Sequence, residues 1–223
     1  MDVKLLELEK EYERYAKECQ CGMRTVMARL ENLKSEMELS PKRSPFKSIT
    51  SRIKCFDSAV EKCKRRKDSN GESWPITMET FKQKMHDIAG VRIITPYQDD
   101  IYTVRNAVVR QPSMTVIEER DYVKNPKQNG YRSLHLIVEM EIYFMETSKR
   151  VPVEIQIRSE AMELWASQDH RLRYKNDDPS PEAIDKLSTI AKILADFEQQ
   201  IMELRDFRNK EEDDLGEKAD TNE

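Results

Sequence analysis

The sequence predicts an α+β fold, a sheet flanked by helices with a long helix at each end. Three observations predict it. Four segments with strand character alternate with helical ones between residues 88 and 157. Both ends carry apolar stripes at helical spacing. The composition sets 38% hydrophobic against 36% charged residues, enough apolar side chain for a core and enough charge for solvated helix faces.

Leu5, Leu8, Tyr12, Tyr15, Cys19, Val26, Leu30, Leu33 and Met37 recur at 3/4 spacing, with Gly22 at the skipped seam position. This predicts one long amphipathic helix, ended by Ser40-Pro41. Residues 41–51 read as a basic loop, and 56–66 as helix again. Asp-Ser-Asn-Gly and Trp-Pro mark 67–75 as an exposed loop. Thr77 is suited to cap a helix ending near His86. A short apolar strand broken by Gly90 follows over 88–94, then a helix over 97–110. Residues 115–122 predict a strand of unusual polarity; 134–142 and 151–157 are clearer strands. Two helices follow, 159–174 and 181–207, the second with Ile184, Leu187, Ile190, Leu194, Phe197, Ile201 and Leu204 on one stripe. The expected organisation is an N-terminal helix (1–40), a core (41–175), a C-terminal helix (176–207) and a disordered acidic tail (208–223).

Charge is unevenly spread. The tail from Arg208 holds three basic and seven acidic residues, a balance of −4, which is the whole net charge of the chain. Within the neutral remainder, 42–67 gathers ten basic residues against Asp57 and Glu61, which points to an anionic ligand. No apolar run approaches the ~20 residues of a membrane span, and the acidic amphipathic start is unlike a signal peptide. Cys19, Cys21, Cys55 and Cys63 form no CxxC pair and have no nearby His, so free thiols in a cytoplasmic protein are expected.

Three pieces carry chemistry. Ser58, Lys62 and Arg65 fall at i, i+4 and i+7, downstream of Arg52 and Lys54; a hydroxyl and cations on one helix face suit a polyphosphate. Asp87, in Asp-Ile-Ala-Gly-Val-Arg92, stands at the mouth of a buried strand and suits Mg²⁺, a hard cation that takes one or two carboxylates besides phosphate and water. The basic loop from Lys124 to His135 contains Tyr131, and the strand after it carries Glu154, Gln156 and Arg158 at alternate positions, hence on one face. Asp87 and Glu154 are 67 residues apart in sequence and form a two-carboxylate metal site only if their strands are neighbours.

Five motifs in this order, R-x-K with S, K and R on the next helix, D-I-A-G-V-R, N-G-Y-R-S-L-H, V-E-I-Q-I-R and W-A…H…Y-K, resemble the RelA/SpoT-type alarmone synthetases, and most closely the small single-domain kind. The likeness runs from Arg52 to Lys175. It implies a nucleotidyltransferase-like mixed sheet, and transfer of the β,γ-pyrophosphate of ATP to the 3′-hydroxyl of GDP or GTP. By the resemblance, Arg52 and Arg92 sandwich adenine, while Lys54, Ser58, Lys62 and Arg65 hold the ATP phosphates. Asp87 and Glu154 bind Mg²⁺, with Glu154 also placed to take the hydroxyl proton. Tyr131 stacks on guanine; Arg120, Lys127 and His135 meet the acceptor's phosphates; Gln156 orients the acceptor. Glu163 falls near the guanine edge, where small synthetases often have Asn or Asp. A homotetramer is implied, with no membrane or DNA partner; RNA or ribosome contact is compatible with the sequence but not indicated by it.

Two other readings stay open: the same transfer to an adenosine nucleotide or a tRNA 3′ end, and a non-catalytic nucleotide- or RNA-binding regulator. Surplus basicity lies largely inside the donor motif, against a tRNA acceptor, and the intact Asp87/Glu154 pair is against loss of catalysis. With His only at 86, 135 and 170, the upstream ligands of the hydrolase domain found in long relatives are missing, so synthesis without hydrolysis is expected.

Overall fold

The computed structural model describes residues 3–41, 43–175 and 180–220. In chain order the elements are α1 (Val3–Glu38), β1 (Ser48–Ile53), α2 (Phe56–Arg65), α3 (Met78–Lys84), β2 (Ala89–Thr95), α4 (Asp100–Val109), β3 (Met114–Asp121), β4 (Leu134–Tyr143), β5 (Ser148–Ser159), α5 (Glu160–Lys175) and α6 (Pro181–Asp220). The strands form one sheet in the order β1-β2-β5-β4-β3. Only β2 and β5 run parallel; the other pairs are antiparallel.

The two faces of the sheet are chemically opposite. Val91 and Ile93 of β2 align with Ile155 and Ile157 of β5, which align with Leu136 and Leu134 of β4. All six are buried. This face packs against Cys19, Val26 and Leu30 of α1 and Ile101, Val104 and Val108 of α4. Gly22 lets α1 approach closely: a Cβ there would run into Val151 Cγ2, which outweighs the ~1 kcal/mol that glycine costs a helix interior. Tyr12, Phe56 and Phe81 meet as a cluster of tilted rings, and the Tyr12 hydroxyl donates to the Lys54 carbonyl at 2.8 Å, tying α1 to the turn ahead of α2. Thr77 caps α3 as expected, its hydroxyl accepting from Thr80 N–H.

Two expectations need correction. The basic stretch 41–51 is not all loop, because it enters edge strand β1, making five strands rather than four. Ser-Ile-Thr-Ser-Arg-Ile is short and mostly polar, as an edge strand with one exposed margin permits. The acidic segment expected to be disordered from 208 continues α6 as far as Asp220. Its Glu, Asp and Lys residues extend an existing helix, which needs no new nucleus. The segment bound expected at 176 lies outside the described residues; α6 begins at Pro181, where the last helix was expected, a residue well suited to a first helical position.

Candidate active site

The polar face of the sheet is organised in rows. Arg52, Gly90 and Glu154 align across β1, β2 and β5. Two residues further on, Arg92, Gln156, His135 and Arg120 align across β2, β5, β4 and β3. A bulge between Val116 and Glu118 puts Arg120 on this face. Val116 pairs with Val138 on the core face, whereas Glu118 pairs with Ile137. The extra residue turns the strand over, and Ile117 is left exposed.

A pocket of about 130 Å³ opens over β1, β2 and β5, lined by Arg52, Asp87, Gly90, Arg92, Glu154 and Gln156 among others. Gly90 forms its floor: no side chain stands between Arg52 and Glu154. Asp87 comes from the turn immediately before β2, and Glu154 from the middle of β5. The parallel pairing of those strands brings the two carboxylates to one cavity.

Each carboxylate has its own partners. Asp87 Oδ2 lies 3.2 Å from Lys54 Nζ, and Oδ1 lies 2.7 Å from Lys62 Nζ. Oδ1 is buried, and the Lys62 ammonium is the group that meets it. Burial opposes ionisation of Asp87, but Lys62 and Lys54 outweigh it and hold the carboxyl below its usual range. Lys62 is itself shifted down, by burial more than Asp87 restores. Glu154 is 7% exposed, and burial again opposes its charge. His135 and Gln156 overcome this: His135 Nδ1 lies 3.0 Å from Oε1, and Gln156 Nε2 donates to Oε2 at 2.7 Å. The nearby Asp87 charge pushes Glu154 the other way.

A directed hydrogen-bond chain leads to Glu154. Arg158 Nη2 can only donate, and it reaches the Tyr131 hydroxyl oxygen at 2.7 Å. The Tyr131 proton is then free for His135 Nε2, also 2.7 Å away. The Nδ1–H tautomer of His135 satisfies every group in this chain and presents its proton to Glu154. Both His135 nitrogens are thus engaged within the protein, where the sequence reading directs this residue to acceptor phosphates.

Tyr131 sits among Tyr122 and Trp165, with Arg158 5.1 Å from its ring centroid. Lys127 Nζ lies 4.5 Å from the Tyr122 centroid and 4.7 Å from that of Tyr131. Burial and then the Arg66 charge depress the Lys127 ammonium. Glu163 is not a bare helix-surface residue: it accepts from Arg92 Nη1 and Arg158 Nη1, both at 2.8 Å, and so links the two halves of the polar face. Burial first, and Arg158 second, lower the Arg92 pKa. Arg120 is paired with Glu118. Ser58 accepts from Cys55 Sγ at 3.2 Å, and Arg65 is exposed in the last turn of α2. Neither lines the pocket. The spacing of Glu154, Gln156 and Arg158 puts Arg158 on this face, but the sequence assigns it no partner; the structure supplies Tyr131, Gln156 and Glu163.

A match to "Region found in RelA / SpoT proteins" covers residues 51–179. The chain belongs to that family. Two curated relatives from Bacillus subtilis (strain 168) align over most of their length. The GTP pyrophosphokinase YwaC is 36% identical over 78% of this chain and 80% of its own. The GTP pyrophosphokinase YjbM is 32% identical over 88% of this chain and 90% of its own. Among solved structures, the small alarmone synthetase 1 of B. subtilis bound to its product pppGpp superposes with a TM-score of 0.79 at 30% identity, covering 88% of this chain and 97% of that one. The small alarmone synthetase 2 of B. subtilis gives 0.77 at 30% identity, with 88% and 98% covered. This family member therefore has the fold of the small synthetases. Among the described residues no helix is long and apolar enough to cross a membrane, and the four cysteines are free.

Proposed function

We propose that the chain is a GTP pyrophosphokinase that makes ppGpp and pppGpp, with AMP as the other product, in the stringent response. The observation that carries this reading is the meeting of Asp87 and Glu154 in one pocket, between the cations of β1, α2 and β2 and the aromatic, basic surface of β3 and β4.

The donor ATP is assigned to the β1/α2/β2 side. Arg52 and Arg92, on adjacent strands of one face, hold the adenine between guanidinium planes. Lys54 and Lys62, with Ser58 and Arg65 farther along α2, take the triphosphate. The acceptor is assigned to the other side, with its guanine on Tyr131, its phosphates at Lys127 and Arg120, and its ribose oriented by Gln156. Glu154, ionised and fixed by two donors, takes the proton of the 3′-hydroxyl. The hydroxyl oxygen bonds to the β-phosphorus as the bond from that phosphorus to the α,β-bridging oxygen breaks, and AMP leaves. His135 is assigned to orienting Glu154. Glu163 holds Arg92 and Arg158 in place and borders the guanine edge.

Asp87 and Glu154 are the residues that would hold Mg²⁺, which supplies neutralisation of phosphate charge when bound. The donor set fits: two hard carboxylates face one pocket, and both are held below the usual carboxylate range. No group of three or more His, Cys, Asp or Glu gathers among the described residues, so phosphate and water would complete the shell. A cytoplasmic homotetramer is proposed, supported by exposed Ile190, Ile193, Phe197, Leu204 and Phe207 along α6; light scattering showing a monomer refutes it. The test of the activity is labelled ATP with Mg²⁺ and each of GDP, GTP, ADP and tRNA. Label in ppGpp and pppGpp is expected, and transfer to ADP or tRNA alone overturns the reading.

A further inference from the structure

α6 lies beyond the 51–179 family match, yet it holds both neighbours of Tyr131. Gly130 precedes that tyrosine with φ +87°, a conformation that favours glycine, and a Cβ on it would lie 2.5 Å from Ala191 Cβ. Arg132 follows it and donates to the Glu198 carboxylate, which also accepts from the Ser159 hydroxyl. Ser159 Oγ in turn accepts Met162 N–H at 3.2 Å, at the start of α5. Between these contacts, Trp165 Nε1 donates to the Leu187 carbonyl at 2.9 Å, and the Trp165 ring meets Tyr131 at 6.2 Å. Leu187, Ala191, Leu194 and Glu198 recur at 4, 3 and 4 residues, one stripe of α6 turned toward the loop.

The buried charge is the informative part. Glu198 is 6% exposed, and the Arg132 side chain 10%. Taking an ion pair out of water recovers little stability that apolar packing would not supply, and such pairs are best attested as devices that fix a register. This one fixes a helix against the residue after the ring assigned to the acceptor base. It also reaches Ser159, directly after Arg158, whose guanidinium bonds the Tyr131 hydroxyl. The partners of this stripe are Gly130, Arg132, Ser159 and Trp165, none of them on β1 or α2, where the donor residues lie.

We infer that Ala191 and Glu198 of α6 are positioning residues for the acceptor, setting the place of Tyr131 and hence the affinity for the guanosine nucleotide without acting on ATP. This rests on the function proposed above. Glu198→Gln keeps the shape and removes the charge. Ala191→Val pushes into the space that Gly130 leaves. Steady-state kinetics with GDP and ATP varied separately, GDP binding by calorimetry, and circular dichroism are measured for wild type and both variants. The expected result is a rise in KM and Kd for GDP of ~10-fold or more, within the ~10²-fold that a small misplacement can cost, with KM for ATP and the folded spectrum unchanged. Equal rises in both KM values, or a lowered melting temperature with unchanged kinetics and GDP affinity, overturn the inference while leaving the function intact. If one variant does not fold, the other decides by the same readout. Wild type that transfers nothing to GDP or GTP overturns the proposed function, and the inference with it.

Discussion

Replacing Tyr131 with Phe removes one oxygen and keeps the ring. That oxygen accepts from Arg158 and lies 2.7 Å from His135 Nε2. Arg158 has other acceptors, since its guanidinium also donates to Gln156 Oε1 at 2.9 Å and to Glu163. His135 has no such reserve: it is 8% exposed, and among the described residues Tyr131 alone bonds Nε2. An unsatisfied buried acceptor costs about 1–3 kcal/mol. The imidazole relieves that cost by turning or by changing tautomer, and either response removes the proton it directs at Glu154. If ~1–2 kcal/mol of this falls on the transition state, kcat drops by roughly 5–30-fold. The stacking face is intact, so KM for GDP stays close to that of wild type. Initial rates at saturating ATP with GDP varied separate the two constants. A raised KM at unchanged kcat would refute the reasoning, because the hydroxyl would then be touching the acceptor and not steering the base.

Glu154→Gln should lower the rate by at least ~10²-fold, as loss of a general base does, with the circular dichroism spectrum unchanged; undiminished turnover removes Glu154 from the chemistry. Asp87 and Glu154 are both held below their usual carboxylate range, so each is more acidic folded than unfolded. Their contribution to stability is present above the unfolded values of ~3.9 and ~4.3 and is lost as pH falls through the folded ones. The melting temperature should therefore fall on acidification below about pH 4, and Asp87→Asn should flatten that fall; a melting temperature that rises between pH 5 and 3 contradicts it. Gly22→Ala gains ~1 kcal/mol of helix propensity but crowds Val151, at an overpacking cost of ~1–3 kcal/mol. A lower urea midpoint is expected, and a higher one refutes the close approach of α1 to the sheet.

The long helices were legible because an apolar stripe at helical spacing can be read locally, from Tyr12 through Leu33. The central strands were legible for the same kind of reason. β1 was not, since three of its six residues are exposed and its apolar positions are few. β3 was hard to read because its alternation reverses at the bulge, which puts Val116 and Glu118 on opposite faces. Glu154 and Gln156 could be placed on one face from their spacing alone. That Asp87 joins them depends on β2 lying parallel beside β5, a pairing between segments with no local trace of each other. The same holds for His135 as the partner of Glu154 and for Glu163 as the bridge between two arginines. Glu198 gave no signal at all: a single carboxylate in a charged helix looks solvated until the Arg132 and Ser159 that surround it are in place.

The parallel pairing of β2 with β5 also bears on how the chain acquires its activity. Gly90 meets Glu154 only after a loop of some sixty residues has closed, whereas β3 with β4 and β4 with β5 are joined by short connections. Contacts so distant along the chain are entropically costly and tend to form late. A nascent or partly folded molecule can hold its hairpins and its first helix and still be inert, because the nucleotide cavity exists only when the two halves of the sheet have closed.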